Sequence, residues 1–348
     1  MAKKRRRKLK KQTKFGIIGG VLLVVAILGF IWFFFGGGSD IINELRPPQE
    51  PEKRLNIVDL DSDSRPFAVV INNLAAARPN HAGLQDAFIV YEFIVESGIT
   101  RLLALFRDQE TERIGSVRSA RHYFIDYALE NDAIFVYHGQ SPQAQADFRN
   151  LNVDRINVNT TTTGWRDFSI VGNTEHTLFT SIEYLKRGLG NIRRETNREL
   201  LLNYSIELID LSELEGAVPA NNVSIRYSTS LETGYEFDPV NRVYKRSVNG
   251  IPHTDAITNK QYTVKNIITY QVANSLIPGG EAGRQQLANV GSGEGWFITN
   301  GYAVPITWSK SSRTAQTIYK LKDGTILTVN DGNTFIQIQP VGQPLYKS

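Results

Sequence analysis

The apolar run at residues 15–35, FGIIGGVLLVVAILGFIWFFF, contains no charged and no strongly polar side chain. An α-helix of this length would be roughly 30 Å long, which is the thickness of the hydrocarbon core of a bilayer. Nine basic residues precede the run, and no acidic residue occurs before Asp40. Because basic flanks stay in the cytoplasm, this pattern predicts a basic cytoplasmic tail (1–14), one transmembrane helix (15–35) and an extracytoplasmic part (40–348).

A cleaved signal peptide is the competing interpretation of the same run. Signal peptides usually have an apolar core of only about 7–15 residues, followed by a small-x-small cleavage site. The sequence FFFGGGSD at the end of the run matches such a site poorly, so we predict an uncleaved anchor in the cell membrane. The chain has no cysteine, which excludes disulfides, thiolate catalysis and a lipid-bearing cysteine, and this fits a bacterial envelope protein.

The net charge of the chain is +4, but nine positive charges lie within residues 1–14. Subtracting these nine charges leaves −5 on all the residues that follow. A nucleic-acid-binding protein carries its basic patch on the folded part of the chain. The charge distribution therefore predicts that nucleic acid is not a partner.

After the apolar run, the sequence changes character twice. Residues 36–56 combine glycine, paired proline and charges, as is typical of a spacer. Residues 57–215 predict a mixed α/β domain, and residues 216–345, with short strand patterns between Pro, Asn-Gly and Asp-Gly turns, predict an antiparallel β-rich domain. The predicted fold class is therefore α+β, preceded by one transmembrane helix.

Helix and strand patterns in these domains predict individual elements. In chain order they are a strand at 66–73, a hairpin of strands 87–96 and 98–106, a helix at 116–132 with Ser116 as N-cap, a strand at 133–139, a helix at 141–150 with Ser141 as N-cap and Pro142 at its first position, and helices at 173–190 and 193–202. The glycine-rich residues 278–295 in the second domain predict a mobile flap.

Two carboxylates interrupt the apolar strand pattern at Glu92 and Glu96. In an unbroken strand both would point to the same side, about 13 Å apart, which is too wide for a pair of glycosidase carboxylates unless the strand bends. Two interpretations are open. Glu92 pairs with an arginine to neutralise a buried charge, or one of the two acts as a general acid or base, with the raised pKa that apolar surroundings produce.

Arginines follow on the predicted helix at 116–132, where Arg118 and Arg121 are three residues apart. A helix N-terminus attracts anions, and arginine binds carboxylate or phosphate with two hydrogen bonds. An anion site is one interpretation of this pattern. The other is an internal ion-pair network with Glu92, Glu96 and Arg101, and both can hold together.

Histidine and serine side chains are the remaining candidates for a catalytic or binding role. His138 is at the carboxyl end of a predicted strand, where α/β folds place ligands, whereas Ser141 fits a helix N-cap better than a catalytic nucleophile. His176 fits packing as well as ligand binding, and His81 and His253 fall in predicted loops. The chain shows no metal-ligand spacing and no phosphate-binding or dinucleotide-binding glycine motif, so no metal and no cofactor are predicted.

Several longer motifs resemble the YerB-like lipoprotein family, a bacterial envelope family of unknown function with two domains. They are ARPNHAGLQDAFIVYEFIVESGITRLLALF, IGSVRSARHY and HGQSPQA in the first domain, and YKRSVNGIPHTDAITNKQYTVKNIIT, GWFITNGYAVPITWSK and DGTILTVNDGNTFIQIQP in the second. By position, the resemblance implies polar signature residues at Arg78, Glu92, Glu96, Arg101, Arg118, Arg121 and His138, with Asp255 and Lys310 in the second domain. The chain departs from the family in two places, at the missing lipid-bearing cysteine and at Glu175-His176-Thr177.

Two functions follow as hypotheses. The first is an envelope protein that binds an anionic ligand through an Arg/Glu-lined cleft, either a peptidoglycan-like carboxylate or a phosphate of another polymer, or that docks an envelope protein with the same surface. The alternative is a hydrolase or lyase of cell-wall glycan, with Glu92 or Glu96 as general acid/base and His138 assisting. The first is preferred because no reaction signature is present, and whether the protein is an enzyme stays open.

Overall fold

The structure is a computed structural model, which describes residues 23, 26–28, 30, 55–172, 174–279 and 283–348. The chain divides into two compact units, Met1–Lys53 and Arg54–Ser348. The predicted tail, most of the predicted anchor and most of the predicted spacer lie outside the described residues. Among the residues that are described, no helix is both long and apolar enough to cross a membrane.

Short strands make up most of the unit Arg54–Ser348. The elements up to residue 205 are β1 (Phe67–Asn72), β2 (Ile89–Ile94), β3 (Thr100–Phe106), β4 (Ile114–Gly115), α1 (His122–Glu130), β5 (Ile134–Tyr137), α2 (Pro142–Asn150), β6 (Arg155–Asn157), β7 (Trp165–Arg166), β8 (Leu178–Thr180), α3 (Ile182–Arg187) and β9 (Asn203–Ser205). Four 3₁₀ turns occur among them, at Arg78–Asn80, Leu84–Asp86, Glu96–Gly98 and Thr174–His176.

The elements after residue 205 are all strands in the part of the chain that the structure describes. They are β10 (Val218–Pro219), β11 (Asn222–Ser228), β12 (Leu231–Asp238), β13 (Val243–Val248), β14 (Ile251–Pro252), β15 (Thr263–Val264), β16 (Asn266–Val272), β17 (Asn274–Leu276), β18 (Gln285–Leu287), β19 (Gly291–Thr299), β20 (Tyr302–Lys310), β21 (Ile318–Leu321), β22 (Thr328–Asn330), β23 (Thr334–Pro340) and β24 (Leu345–Lys347). The protein is therefore β-rich with few helices.

One eleven-stranded sheet contains strands from both predicted domains. Its order is β10-β20-β19-β16-β23-β2-β3-β1-β5-β6, with β21 paired to β20. The junction is the parallel pair β2–β23, in which Glu92 lies opposite Gln337. Every residue of β2 and β23 is buried, so this part of the sheet is covered on both faces and forms the centre of the core.

A second sheet, β14-β13-β12-β11-β24 with β15 paired to β13, is antiparallel throughout. Residues of β13 alternate between buried and solvent-facing positions, as expected for a sheet with one face on the core. Tyr244, Arg246 and Val248 share its buried side. This alternation carries one arginine into the interior.

Several predicted elements are confirmed. Strands β2 and β3 form the predicted antiparallel hairpin, and the predicted strands at 66–73 and 133–139 appear as β1 and β5. Helix α2 begins at Pro142, and its N-cap Ser141 accepts a hydrogen bond from the Ala144 N–H at 3.2 Å.

The predicted helix at 116–132 is wrong in its first half, because α1 begins only at His122. Residues 116–121 are extended, and neighbouring strands satisfy their backbone groups. The Arg118 N–H donates to the Val70 carbonyl at 2.9 Å, and the Ala120 N–H donates to the Gly139 carbonyl at 2.9 Å. Tertiary hydrogen bonds therefore replace the helical ones, and the spacing of the arginines is not that of a helix face.

Three further predictions need correction. In the described part of 173–190, only Ile182–Arg187 is α-helical, because Leu178–Thr180 pairs with β4 and β7 instead. The predicted helix at 193–202 is absent, since the backbone there bonds to residues 63–65, for example from the Thr196 N–H to the Asp63 carbonyl. The predicted flap at 278–295 is partly structured, because β17 and β18 pair across it and β19 begins at Gly291.

Candidate functional site

Glu92 lies inside the protein, in a buried ion pair that joins the two predicted domains, residues 57–215 and residues 216–345. Its side chain and that of Arg246, on β13, have no exposed surface, and an Arg246 Nη2–Glu92 Oε2 distance of 2.9 Å links them. Thr100 Oγ1 (2.7 Å) and Asn73 Nδ2 (3.1 Å) also donate to the carboxylate, and Thr233 Oγ1 lies 3.3 Å away. The pairing expected for Glu92 is present, and the carboxylate is not open to a ligand.

Two buried histidines continue the hydrogen-bond network from Arg246, and each member of the series donates to the next. Arg246 donates from Nη1 to His253 Nδ1, so the proton of His253 is on Nε2, which faces His81 Nδ1 at 2.8 Å. His81 then donates from Nε2 to the Asn72 carbonyl oxygen. Burial, reinforced by Arg246, lowers the pKa of His81 to about 3 and holds the pKa of His253 well below its usual value. Both rings are therefore neutral at physiological pH.

Arg78 is at the edge of the same network. Its Nη1 donates to the Asn73 carbonyl at 2.8 Å, and the side chain is half-buried. Burial and the neighbouring Arg246 lower the pKa of Arg78, although Glu92 opposes them. Arg78 and Glu92 therefore belong to the network that joins the two predicted domains. They are not part of the group formed around Arg101, Arg118 and Arg121.

Five side chains form a separate group, named here the arginine cluster: Arg101, Arg118, Arg121, Glu96 and Glu175. Arg121 bonds to Glu96 through Nε, and Arg101 Nη2 lies 3.6 Å from the same carboxylate. Burial opposes ionisation of Glu96, but the hydrogen bond and the charges of the two arginines hold its pKa below the usual value. Glu96 is therefore ionised and shared by two guanidinium groups.

Arg101 is the most deeply buried side chain of the arginine cluster. Its side chain is 7% exposed, Nη1 donates to the Ser119 carbonyl at 2.9 Å, and Nε is buried without a partner. Burial lowers the pKa of Arg101 to about 9, and the positive charges of Arg121 and Arg118 add to this effect. A buried guanidinium whose neighbours are mostly cations is poorly compensated, and an added anion would stabilise it.

Arg118 and Glu175 form the outer part of the arginine cluster. Arg118 Nη2 bonds to Glu175, and the two side chains are 22% and 36% exposed. Arg118 Nε is buried without a partner. Counting charges, three guanidinium groups meet two carboxylates, so the arginine cluster has a net positive charge. The backbone adds to this field, because α1 starts directly after Arg121, which provides no side-chain cap for the helix N-terminus.

His138 lies beside the arginine cluster through its backbone, since its N–H donates to the Arg118 carbonyl at 3.1 Å. Its Nδ1 is 2.8 Å from the Val158 carbonyl oxygen. A carbonyl only accepts, so Nδ1 carries a proton. Ser141 is a buried N-cap, as described above. His176 Nδ1 lies 2.9 Å from Asn72 Nδ2.

The two polar residues of the second domain lie elsewhere. Asp255 accepts hydrogen bonds at 2.9 Å from the Gly83 N–H and from the Tyr262 hydroxyl, on the wall of a cavity of about 730 Å³ that is lined by neither Arg101 nor the other arginines of the cluster. Lys310 is buried in an ion pair with Glu130 at 2.6 Å. Neither residue contacts the arginine cluster. Within the described residues, no group of three or more His, Asp or Glu side chains is arranged to hold a metal ion.

Arg246 was not predicted as a site residue. His81 and His253 do lie in loops, as predicted, but their burial was not predicted. A signal for Arg246 was present, because it shares strand parity with Tyr244 and Val248. An arginine on the apolar side of a strand is a candidate buried ion. The histidines gave no such signal, because their burial depends on contacts between residues 172 positions apart.

Comparisons with known proteins agree with this architecture. The models of a family described as a protein of unknown function (DUF3048) match the chain twice, with the N-terminal domain at residues 56–195 and the C-terminal domain at residues 223–336. A relative from Bacillus subtilis (strain 168), named putative lipoprotein YerB, is 33% identical over 292 residues, which are 80% of this chain and 82% of that protein.

A solved structure is similar over the same extent. The crystal structure of the YerB protein from Bacillus subtilis matches with a TM-score of 0.71 and 28% identity, over 84% of this chain and 99% of the solved chain. Almost the whole solved chain is thus covered by a part of this chain about as long as the unit Arg54–Ser348. The solved relative is therefore a folded chain of about this extent, and the corresponding unit Arg54–Ser348 is the part of this chain used in the experiments below.

Proposed function

Because the chain belongs to the YerB-like family of unknown function, we propose that it is an extracytoplasmic protein of the bacterial cell envelope that binds an anionic group of a wall polymer at the arginine cluster. The observation that carries the proposal is Arg101, which is buried beside two other arginines with an unpartnered Nε. One added anion would balance the net positive charge of the arginine cluster. Carboxylates of peptidoglycan peptides and phosphates of other wall polymers share this chemistry.

The charge of the protein as a whole favours a local site over general adhesion. Residues after 14 carry −5 in total, so an anionic polymer is repelled by most of the surface and is held only where positive charge is concentrated. Arginine suits this task because its planar group donates two parallel hydrogen bonds to a carboxylate or phosphate. Binding is therefore expected to weaken with salt, as it does for partly exposed ion pairs.

We further propose that the run at residues 15–35 anchors the protein in the cell membrane, with the N-terminus in the cytoplasm. The charge pattern around the run supports this topology. The relative named putative lipoprotein YerB supports a membrane-attached location. A helix in place of a lipid would keep the folded unit on the same side of the membrane.

The hydrolase or lyase alternative gains no support from the candidate carboxylates. A general acid requires a raised pKa, whereas the pKa of Glu96 is lowered by Arg121 and Arg101 against the effect of burial. Glu92 is enclosed and paired with Arg246. Neither carboxylate has the environment of an acid catalyst.

Sedimentation with purified bacterial cell walls tests the proposal. The unit Arg54–Ser348 is mixed with intact walls and with walls from which phosphate polymers have been removed by hydrofluoric acid, and the bound protein is measured. Retention on both preparations would identify peptide carboxylates as the ligand, and retention on intact walls alone would identify phosphates. In both cases Arg118→Ala should reduce retention about tenfold or more, because it removes charged hydrogen bonds.

Arg149→Ala is the matched control, since Arg149 is an exposed arginine on α2, away from the arginine cluster. It should leave retention unchanged. If wild-type protein does not bind either preparation, the proposal is wrong, and a protein partner becomes the target of the search. If Arg149→Ala weakens retention as much as Arg118→Ala, general charge and not the arginine cluster holds the polymer.

A further inference from the structure

The three arginines of the cluster differ in their carboxylate partners. Arg101 and Arg121 share Glu96, which is nearly buried, whereas Arg118 bonds to Glu175, the most exposed member of the cluster. Glu175 lies on the 3₁₀ turn Thr174–His176, and Glu96 lies on the 3₁₀ turn Glu96–Gly98, two residues after the end of the buried strand β2. The carboxylate on Arg118 is therefore the more accessible of the two to solvent and to a ligand, with a side chain that is 36% exposed against 12% for Glu96.

Arg118 is also the cation that neutralises Glu175, because the neighbouring His176 is neutral. The Leu74 N–H donates to Asn72 Oδ1 at 3.2 Å, which makes the other atom of this amide, Nδ2, the donor. His176 Nδ1 lies 2.9 Å from Asn72 Nδ2 and must accept from it. The single ring proton of His176 is then on Nε2, which is 3.6 Å from Glu175.

Ion pairs hold both ends of the loop at residues 167–175, of which the structure describes 167–172 and 174–175. Asp167 bonds to Arg113 at 2.8 Å, and Glu175 bonds to Arg118. The loop packs little apolar surface, since Phe168 is 81% exposed and Val171 is 99% exposed. With few apolar contacts, its position depends on the two ion pairs and on a few hydrogen bonds at its base.

From these contacts we infer that Glu175 is a built-in competitor for Arg118. An anionic ligand has to displace its carboxylate, and the loop at residues 167–175 is released from Arg118 when the ligand binds. The inference rests on the proposed function and adds the regulation of the same site. Release of the loop would also change a second cavity, of about 390 Å³. Ser169, Ile170 and Val171 line this cavity together with Ile257 of the second domain.

Glu175→Gln tests the inference. The variant removes the competing charge and keeps the size of the side chain, so it should bind walls more tightly than wild type, by about two- to five-fold, which is the range for a partly exposed ion pair. Glu213→Gln, at an exposed glutamate, is the matched control and should bind like wild type. A purely structural role of Glu175 would give the opposite sign, since loss of the pair would disorder the arginine cluster and weaken binding.

Hydrogen exchange gives a second readout that needs no ligand. Amides of residues 168–172 should exchange faster in Glu175→Gln than in wild type, and those of β2 should not change. If wild type binds walls but Glu175→Gln binds equally or more weakly, the inference is wrong and the proposed function stands. If neither protein binds walls, the proposed function fails and the inference fails with it.

Discussion

The buried pair of Glu92 and Arg246 has an exposed counterpart, and comparing the two pairs isolates the effect of burial. Both have an N–O distance of 2.9 Å between an arginine Nη2 and a glutamate oxygen. The side chains of the first pair are 0% exposed, whereas Arg226 and Glu232 of the second are 44% and 34% exposed. Geometry alone predicts equal effects of removing the arginine, and solvation predicts very different ones.

Arg246→Met leaves the Glu92 carboxylate without a cation in the core. Thr100 and Asn73 still donate hydrogen bonds to it, but both are neutral. Leaving one charge of a buried pair uncompensated costs about 3–5 kcal/mol of unfolding free energy, which for a unit of this size lowers the melting temperature by roughly 5–8 °C. Arg226→Met should cost at most about 1 kcal/mol, because water screens the exposed pair.

Urea unfolding of the unit Arg54–Ser348, followed by tryptophan fluorescence, measures both values. A second substitution, Glu92→Gln in the Arg246→Met protein, removes the uncompensated charge and should restore more than half of the lost stability. The reasoning is refuted if Arg246→Met costs no more than Arg226→Met, or if Glu92→Gln lowers the stability of the Arg246→Met protein further.

Three further predictions concern stability. Lys310→Met should lower the unfolding free energy by about 3 kcal/mol in the same urea assay, because it leaves the buried Glu130 carboxylate unpaired; a loss below about 1 kcal/mol would contradict this. Ser141→Ala should cost about 1 kcal/mol through the lost N-cap of α2, whereas Ser141→Asn should cost less. His81 and His253 have lowered pKa values in the folded protein, so the unfolded chain binds more protons below pH 6.5 and stability falls as the pH falls. Between pH 6.5 and pH 5, above the range in which carboxylates titrate, the loss should be about 3 kcal/mol for the two histidines together, and a urea midpoint unchanged over this window would exclude their neutral burial.

Local signals in the sequence were enough where structure depends on near neighbours. The hairpin β2–β3 follows from two strand patterns and a short turn, and α2 follows from Ser141 and Pro142. Both elements make their defining hydrogen bonds within a few residues. The β-rich character of the second domain follows in the same way from its turns.

Elements that depend on distant partners could not be predicted. Residues 116–121 have the composition of a helix start, but their backbone groups bond to Val70 and Gly139. A single sequence does not show which strand lies alongside, so propensity favours the helix. Glu92 does pair with an arginine, as one of the two interpretations has it. Its partner Arg246 is 154 residues away on a strand of the second sheet, so the contact depends on the packing of the two sheets, which a single sequence does not show.

The same distinction between local signals and distant partners applies to the candidate site. Glu96, Arg101, Arg118 and Arg121 were chosen from short motifs, and they do lie together, because β2, β3 and residues 116–121 are neighbours in the fold. Glu175 was noted in the sequence only as a departure from a family pattern. Its contact with Arg118 depends on the turn at Thr174–His176, which the sequence did not predict.

The most direct measurement of the central claim is the NMR signal of the arginine Nε–H groups in the unit Arg54–Ser348, recorded while soluble wall fragments are added. Arg101 and Arg118 have buried Nε groups without partners, so an anion bound in the arginine cluster would contact or polarise them. The account predicts saturable shifts of these two signals, with the signal of Arg149 unchanged. Shifts that are absent, or that are equal for all arginines, would contradict binding at the arginine cluster.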